Sequence, residues 1–100
     1  MAEAQHVKVI PHNPLSPVST AACIQLDACI PNFALQEYTG ESAPPKSDLL
    51  VQPLELKDGY LTVPTGPGLG IELNEAALQF PIKDKVLDTP IGFDGSVQDR

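Results

Sequence analysis

VKVIPHNPLSPVSTAACIQLDACIPNFALQE, residues 7–37, decides the fold. Val7 to Ile10 is a short β-branched run interrupted only by Lys8, and it reads as a strand. Pro11 stops it, and HNPLS is a loop. Ser16-Pro17 starts a helix, with Ser as N-cap and Pro at the first helical position, where its missing N–H costs nothing. The helix is expected from Pro17 to about Ile30, with Val18, Ala22, Leu26 and Cys29 as its apolar stripe. Pro31-Asn32 ends it, Phe33–Gln36 reads as a second strand, and Glu37 follows. Strand, helix and strand form a βαβ unit, which implies parallel strands and a right-handed crossover. His12 and Glu37 then stand at the C-terminal ends of the two strands, where parallel α/β barrels place their chemistry.

One βαβ unit cannot cover both faces of its strands, yet parallel sheets are buried on both sides. A closed eight-stranded barrel takes about 250 residues, and the chain has 100. The expected fold class is therefore α/β: the terminal β-α-β portion of a TIM-type barrel, followed by a C-terminal tail containing a hairpin. Residues 1–40 are read as the end of the barrel and 41–100 as the tail. AEAQH (2–6) holds good helix formers with no cap before them, as if cut inside a helix.

After Tyr38 the composition shifts to turn formers and charge, TGESAPPKSD (39–48), a loop or linker. Leu49–Val51, Leu54–Leu56 and Tyr60–Val63 are short strand candidates, and Asp58-Gly59 between the last two is a strong hairpin signal. TGPGLG (65–70) is a turn. Asn74 is expected to cap a short helix, EAALQF (75–80), which Pro81 stops. Residues 82–100 show little periodicity and are expected to be extended, draped on another surface or loose.

Composition narrows the function classes. Thirteen acidic against six basic residues give a net charge of −7, which argues against nucleic acid as a partner, since that needs clustered Lys or Arg. No run approaches the roughly 18 apolar residues of a membrane span, and no secretory signal is visible, so no membrane partner is expected and the cytoplasm is the default location. Cys23 and Cys29, six positions apart, point about 120° away from each other on a helix and cannot bridge within it. They are read as buried reduced thiols.

His12 is the candidate acid/base, because imidazole titrates near neutrality. Glu37, at the mouth of a strand, is the candidate substrate-binding carboxylate. His6 belongs to the incoming segment, and Asp27 is expected on the outer face of the helix. The remaining carboxylates lack ligand spacing, so no metal site is expected within the chain. GPGLG (66–70) fails as a nucleotide loop, since neither the third glycine nor a GK[ST] follows.

PH-x-PLSP, IPNF-x-x-QE and DGYL-x-VP-x-x-PGLGIEL together resemble the C-terminal part of the enolase superfamily. Within it they look like the acid-sugar dehydratases of the mandelate racemase group, galactonate dehydratase-like enzymes above all. The resemblance covers roughly residues 1–80. It implies a (β/α)7β barrel with Val7–Pro11 as strand seven and Phe33–Gln36 as strand eight. His12 then matches the histidine that moves the proton next to the substrate carboxylate. Glu37 matches the glutamate that hydrogen-bonds that carboxylate as it becomes an enediolate.

The resemblance further implies a small-molecule sugar-acid substrate, loss of water to a 2-keto-3-deoxy acid, and a homo-oligomeric parent. Its Mg²⁺ would neutralise the developing charge, on carboxylates of strands three to five that this chain does not contain. The aspartate that orients the histidine is also absent, so the chain alone is expected to be inactive. Two alternatives stand beside this reading: another mandelate racemase-group enzyme (a racemase or a different aldonate dehydratase), or a non-catalytic remnant or interaction module.

Overall fold

The computed structural model describes residues 1–79 and 90–97. Its longest element is helix α1, Pro17–Cys29. Ser16 is extended (φ −150°, ψ 165°), and its hydroxyl accepts from Ser19 N at 3.4 Å, as the Ser-Pro start predicts. Ile30 leaves the helix in the extended region, and its N–H donates to Leu26 O.

The flanking strands pair in parallel, as expected, but the pairing is confined to one bridge, Val9 with Phe33. Val9 N donates to Asn32 O at 2.9 Å and Ala34 N to Val9 O at 3.0 Å. Asn32 adds a side-chain staple, its Nδ2 donating to Val7 O at 2.8 Å. The reading of four-residue strands at 7–10 and 33–36 is corrected to this short contact. Val7, Ile10, Phe33 and Leu35 are exposed, so among the described residues no further strand or layer covers the pair. With no neighbour on either side among the described residues, the ladder has nothing there to propagate against.

The buried side of α1 also differs from the expected stripe. Pro17, Thr20, Ala21 and Ile24 are buried, whereas Ala22, Leu26 and Cys29 are exposed. Both choices share helical spacing; the buried one faces the loops that follow the two strands. Cys29 is thus an exposed free thiol and Cys23 a half-buried one, which corrects the buried-thiol reading. Burial, followed by the charge of Asp27, pushes the Cys23 thiol above its ordinary pKa.

Beyond the βαβ unit, the expected hairpin forms as β1 (Leu56–Lys57) against β2 (Tyr60–Leu61), antiparallel, with Leu56 opposite Leu61. Asp58 (φ 51°) and Gly59 (φ 82°) both take left-handed conformations, the requirement of a tight two-residue hairpin turn. The strands are shorter than Leu54–Leu56 and Tyr60–Val63.

Leu49 closes a 3-10 turn, Ser47–Leu49, in place of a strand start, and Leu50 bridges Leu73 in antiparallel fashion. The segment after Asn74 makes a 3-10 turn, Ala77–Gln79, in place of a helix, with Ala77 N donating to Asn74 O; Phe80 and Pro81 lie outside the described residues. Glu3–Gln5 is likewise a 3-10 turn, ended by His6 at φ 57°. Of the segment 82–100, residues 82–89 and 98–100 lie outside the description, and Ile91 bridges Val97 around a turn at Gly95.

The apolar core is small: among the described residues Ala21, Ile24 and Leu50 are the buried hydrophobics, beside buried Asn13, Thr20, Glu41 and Ser47. The radius of gyration is 17.1 Å, against about 13 Å for a compact domain of this length. GPGLG is a packed turn. Gly70 has φ 72°, and a Cβ there would lie 2.5 Å from Pro64 Cβ. Gln25 on α1 ties this turn to the helix by donating to Pro64 O at 2.7 Å.

Candidate functional site

The parallel bridge sets the site. Because Val9 and Phe33 are partners, the chain leaves both strands at the same end, and His12 and Glu37 emerge side by side. His12 Nδ1 lies 2.9 Å from Glu37 Oε2, and the same oxygen accepts from the backbone N of Asn13 at 2.5 Å. The imidazole is 81% exposed and the Glu37 side chain 36% exposed, so the pair opens to solvent on the histidine side.

This geometry sets the tautomer. A proton on Nδ1 donates to Glu37, leaving Nε2 as the free ring nitrogen. The expectation that the imidazole has no orienting carboxylate is corrected: Glu37 itself provides one. Oε2 already receives two N–H donors, so Oε1 is the oxygen left to face a ligand.

Three residues that the sequence reading passed over stand behind the pair. Asn13 is fully buried and donates from Nδ2 to Thr20 Oγ1 at 2.6 Å. Thr20, fully buried on α1, donates to Glu41 Oε2 at 2.5 Å. Glu41 is 3% exposed although it lies in the segment read as a surface loop. Adjacency to His12 is a signal for Asn13, and the spacing Pro17, Thr20, Ala21, Ile24 is one for Thr20. Nothing local marks Glu41.

Asp27 is not on the outer face. Its two carboxylate oxygens are shielded from water and have no hydrogen-bond partner, and it lines a cleft of about 530 Å³ with Ile24, Leu35, Tyr38 and the hairpin residues Tyr60 and Leu61. Burial raises its pKa above the ordinary 3.8. The folded chain therefore holds this proton more firmly than the unfolded one. The stability contribution is full below the ordinary carboxylate range and is lost as pH rises through the raised value. Asp27→Leu is expected to stabilise the chain at neutral pH by about 1 kcal/mol or more, the cost of an unsatisfied buried polar group. Urea denaturation at pH 4 and pH 7 checks it: the gain should be larger at pH 7.

Among the described residues no three His, Cys, Asp or Glu side chains come together as a metal site. Mg²⁺ takes oxygen ligands in near-octahedral geometry; one carboxylate already bonded to two N–H groups does not supply that. The described residues do not fit a resident Mg²⁺. No helix among them is long and apolar enough to cross a membrane.

An imidazole and a carboxylate projecting from the same end of two parallel strands joined by a crossover helix form an arrangement found in part of an α/β barrel. Residues 1–77 match the model of the enolase C-terminal domain-like family, and the chain belongs to that family. It is 37% identical to a D-galactonate dehydratase family member of Streptomyces bingchenggensis, over 99% of this chain and 25% of the relative. To a D-gluconate dehydratase of Thermoproteus tenax it is 36% identical, over 79% of this chain and 16% of the relative.

Among solved structures, an enolase from Agrobacterium radiobacter with bound sodium and L-malate superposes with a TM-score of 0.83 at 31% identity, covering 96% of this chain and 28% of that one. An enolase of the mandelate racemase subgroup from Agrobacterium tumefaciens gives 0.68 at 39% identity, covering 79% and 22%. The chain thus spans between 16% and 28% of the length of these relatives, and its βαβ unit is consistent with part of an α/β barrel.

Proposed function

We propose that the chain supplies the acid–base end of an acid-sugar dehydratase, acting on an aldonate of the galactonate kind. The observation that carries this reading is the 2.9 Å contact between His12 Nδ1 and Glu37 Oε2 at the ends of two parallel strands. Nε2 of His12 takes the proton from the carbon next to the substrate carboxylate. The electron pair moves into that carboxylate, which becomes an enediolate. Glu37 faces it through Oε1 and hydrogen-bonds the substrate carboxylate as it becomes the enediolate. The neighbouring hydroxyl then leaves as water, taking a proton from an acid, and the enol relaxes to a 2-keto-3-deoxy acid.

His12 is the catalytic residue in this reading and Glu37 the substrate-binding one. Residues 1–40 form the barrel end and 41–100 the tail, and the parent enzyme is a cytoplasmic homo-oligomer. The metal chemistry of such a parent rests on groups other than those described here. The chain by itself gives no turnover, because one imidazole–carboxylate contact open to solvent does not neutralise an enediolate.

The test is a graft. Residues 1–77 replace the matching segment of the full-length Streptomyces relative, and release of 2-keto-3-deoxy acid is followed over a panel of aldonates. Turnover by the graft, and none by the isolated chain, is the expected result. A folded graft that turns over no aldonate overturns the reading.

A further inference from the structure

The buried interior beside the site is polar where a small fold has most need of apolar packing. Asn13 and Thr20 are fully buried and Glu41 nearly so, while Ala21, Ile24 and Leu50 are the buried hydrophobics among the described residues. Burying polar groups is costly unless they are hydrogen-bonded, and an apolar replacement of similar volume is often no less stable. Stability therefore does not account for these three residues.

Their hydrogen bonds run in one direction. Thr20 has a single hydroxyl proton and gives it to Glu41 Oε2, so toward Asn13 its oxygen can only accept. This obliges Asn13 to present Nδ2 to Thr20, and it leaves Asn13 Oδ1 buried without a partner. The carboxamide is thereby held in one orientation, and the backbone N of the same residue meets Glu37 Oε2 at 2.5 Å. The relay joins the loop after the first strand, the helix and the loop after the second strand.

We propose that Asn13, Thr20 and Glu41 are positioning residues: they hold the His12–Asn13 backbone against the helix so that His12 Nδ1 and Asn13 N converge on one oxygen of Glu37. Its functional meaning rests on the reading of His12 and Glu37 given above, but its geometry is tested without turnover.

Amide hydrogen exchange and ¹H–¹⁵N spectra are recorded on the 100-residue chain as wild type, Thr20→Val and Thr20→Ser. In the wild type the Asn13 amide is expected to be downfield-shifted and protected by its short bond to a carboxylate. Thr20→Val keeps the volume and removes the hydroxyl. It is expected to move the Asn13 amide upfield and to speed its exchange by about tenfold, the order that one buried hydrogen bond supplies. Thr20→Ser restores both. Protection of the α1 amides from Ala21 to Cys29 is unchanged in all three.

An Asn13 amide that is unprotected in the wild type, or indifferent to Thr20→Val, overturns the inference. So does a change that Thr20→Ser fails to rescue, or one shared equally by the whole helix. An inactive graft would remove the dehydratase reading and leave these exchange results standing.

Discussion

His12→Asn in the grafted barrel is expected to lower kcat by about 10²–10⁴-fold, the usual worth of a positioned general base. Asn keeps a polar group near Glu37 Oε2 and cannot take a proton from carbon. The loss should fall on kcat, with KM little changed, because in the structure the imidazole reaches Glu37 through Nδ1 and leaves only Nε2 for chemistry. Exchange of the substrate α-proton with deuterated solvent isolates the step. The variant should lose exchange and elimination together. Exchange that survives while elimination is lost would move His12 from base to acid, and retention of both would remove it from the mechanism.

Glu37→Gln should behave differently. Oε2 accepts from both His12 Nδ1 and Asn13 N, and hydrogen bonds to a charged group contribute about 1.5–3 kcal/mol. Gln offers one neutral oxygen in place of the carboxylate, so one donor is weakened and the substrate side loses its ionisable oxygen. The expected result is a rise in KM of about 10–100-fold, from the same energies, with a smaller fall in kcat as the imidazole loses its orientation. Steady-state kinetics of the graft separate the two effects. A variant with wild-type KM would show that Glu37 serves His12 alone and does not meet the substrate.

Much of this site was legible in the sequence because its signals are local. Ser16-Pro17 starts the helix within one residue of its observed first position, and Asp58-Gly59 marks a turn that forms where it was expected. The parallel sense of Val9 and Phe33 followed from the crossover, and with it the side-by-side placement of His12 and Glu37.

What was not legible depends on tertiary surroundings. Strand length is set by neighbours, and the two strands shrink to one bridge where, among the described residues, no further strand pairs with them. The inward face of α1 is chosen by what it packs on. Spacing alone allowed both the Val18–Ala22–Leu26–Cys29 stripe and the observed Pro17–Thr20–Ala21–Ile24 one, and polarity argued against the one containing Thr20. Asp27, expected on the outer face, is shielded in a cleft by its tertiary neighbours, and Glu41 sits in a segment whose composition reads as solvated.

The uncovered sides of the strand pair have a colloidal consequence. Val7, Ile10, Phe33 and Leu35 present greasy, half-paired backbone to the solvent, while the chain carries −7 overall. Mutual repulsion between molecules is therefore what keeps such surfaces apart in dilute buffer, and at physiological ionic strength it reaches only about 8 Å. Salt strips away that protection, and the polypeptide trades solubility for stickiness as the medium becomes more concentrated.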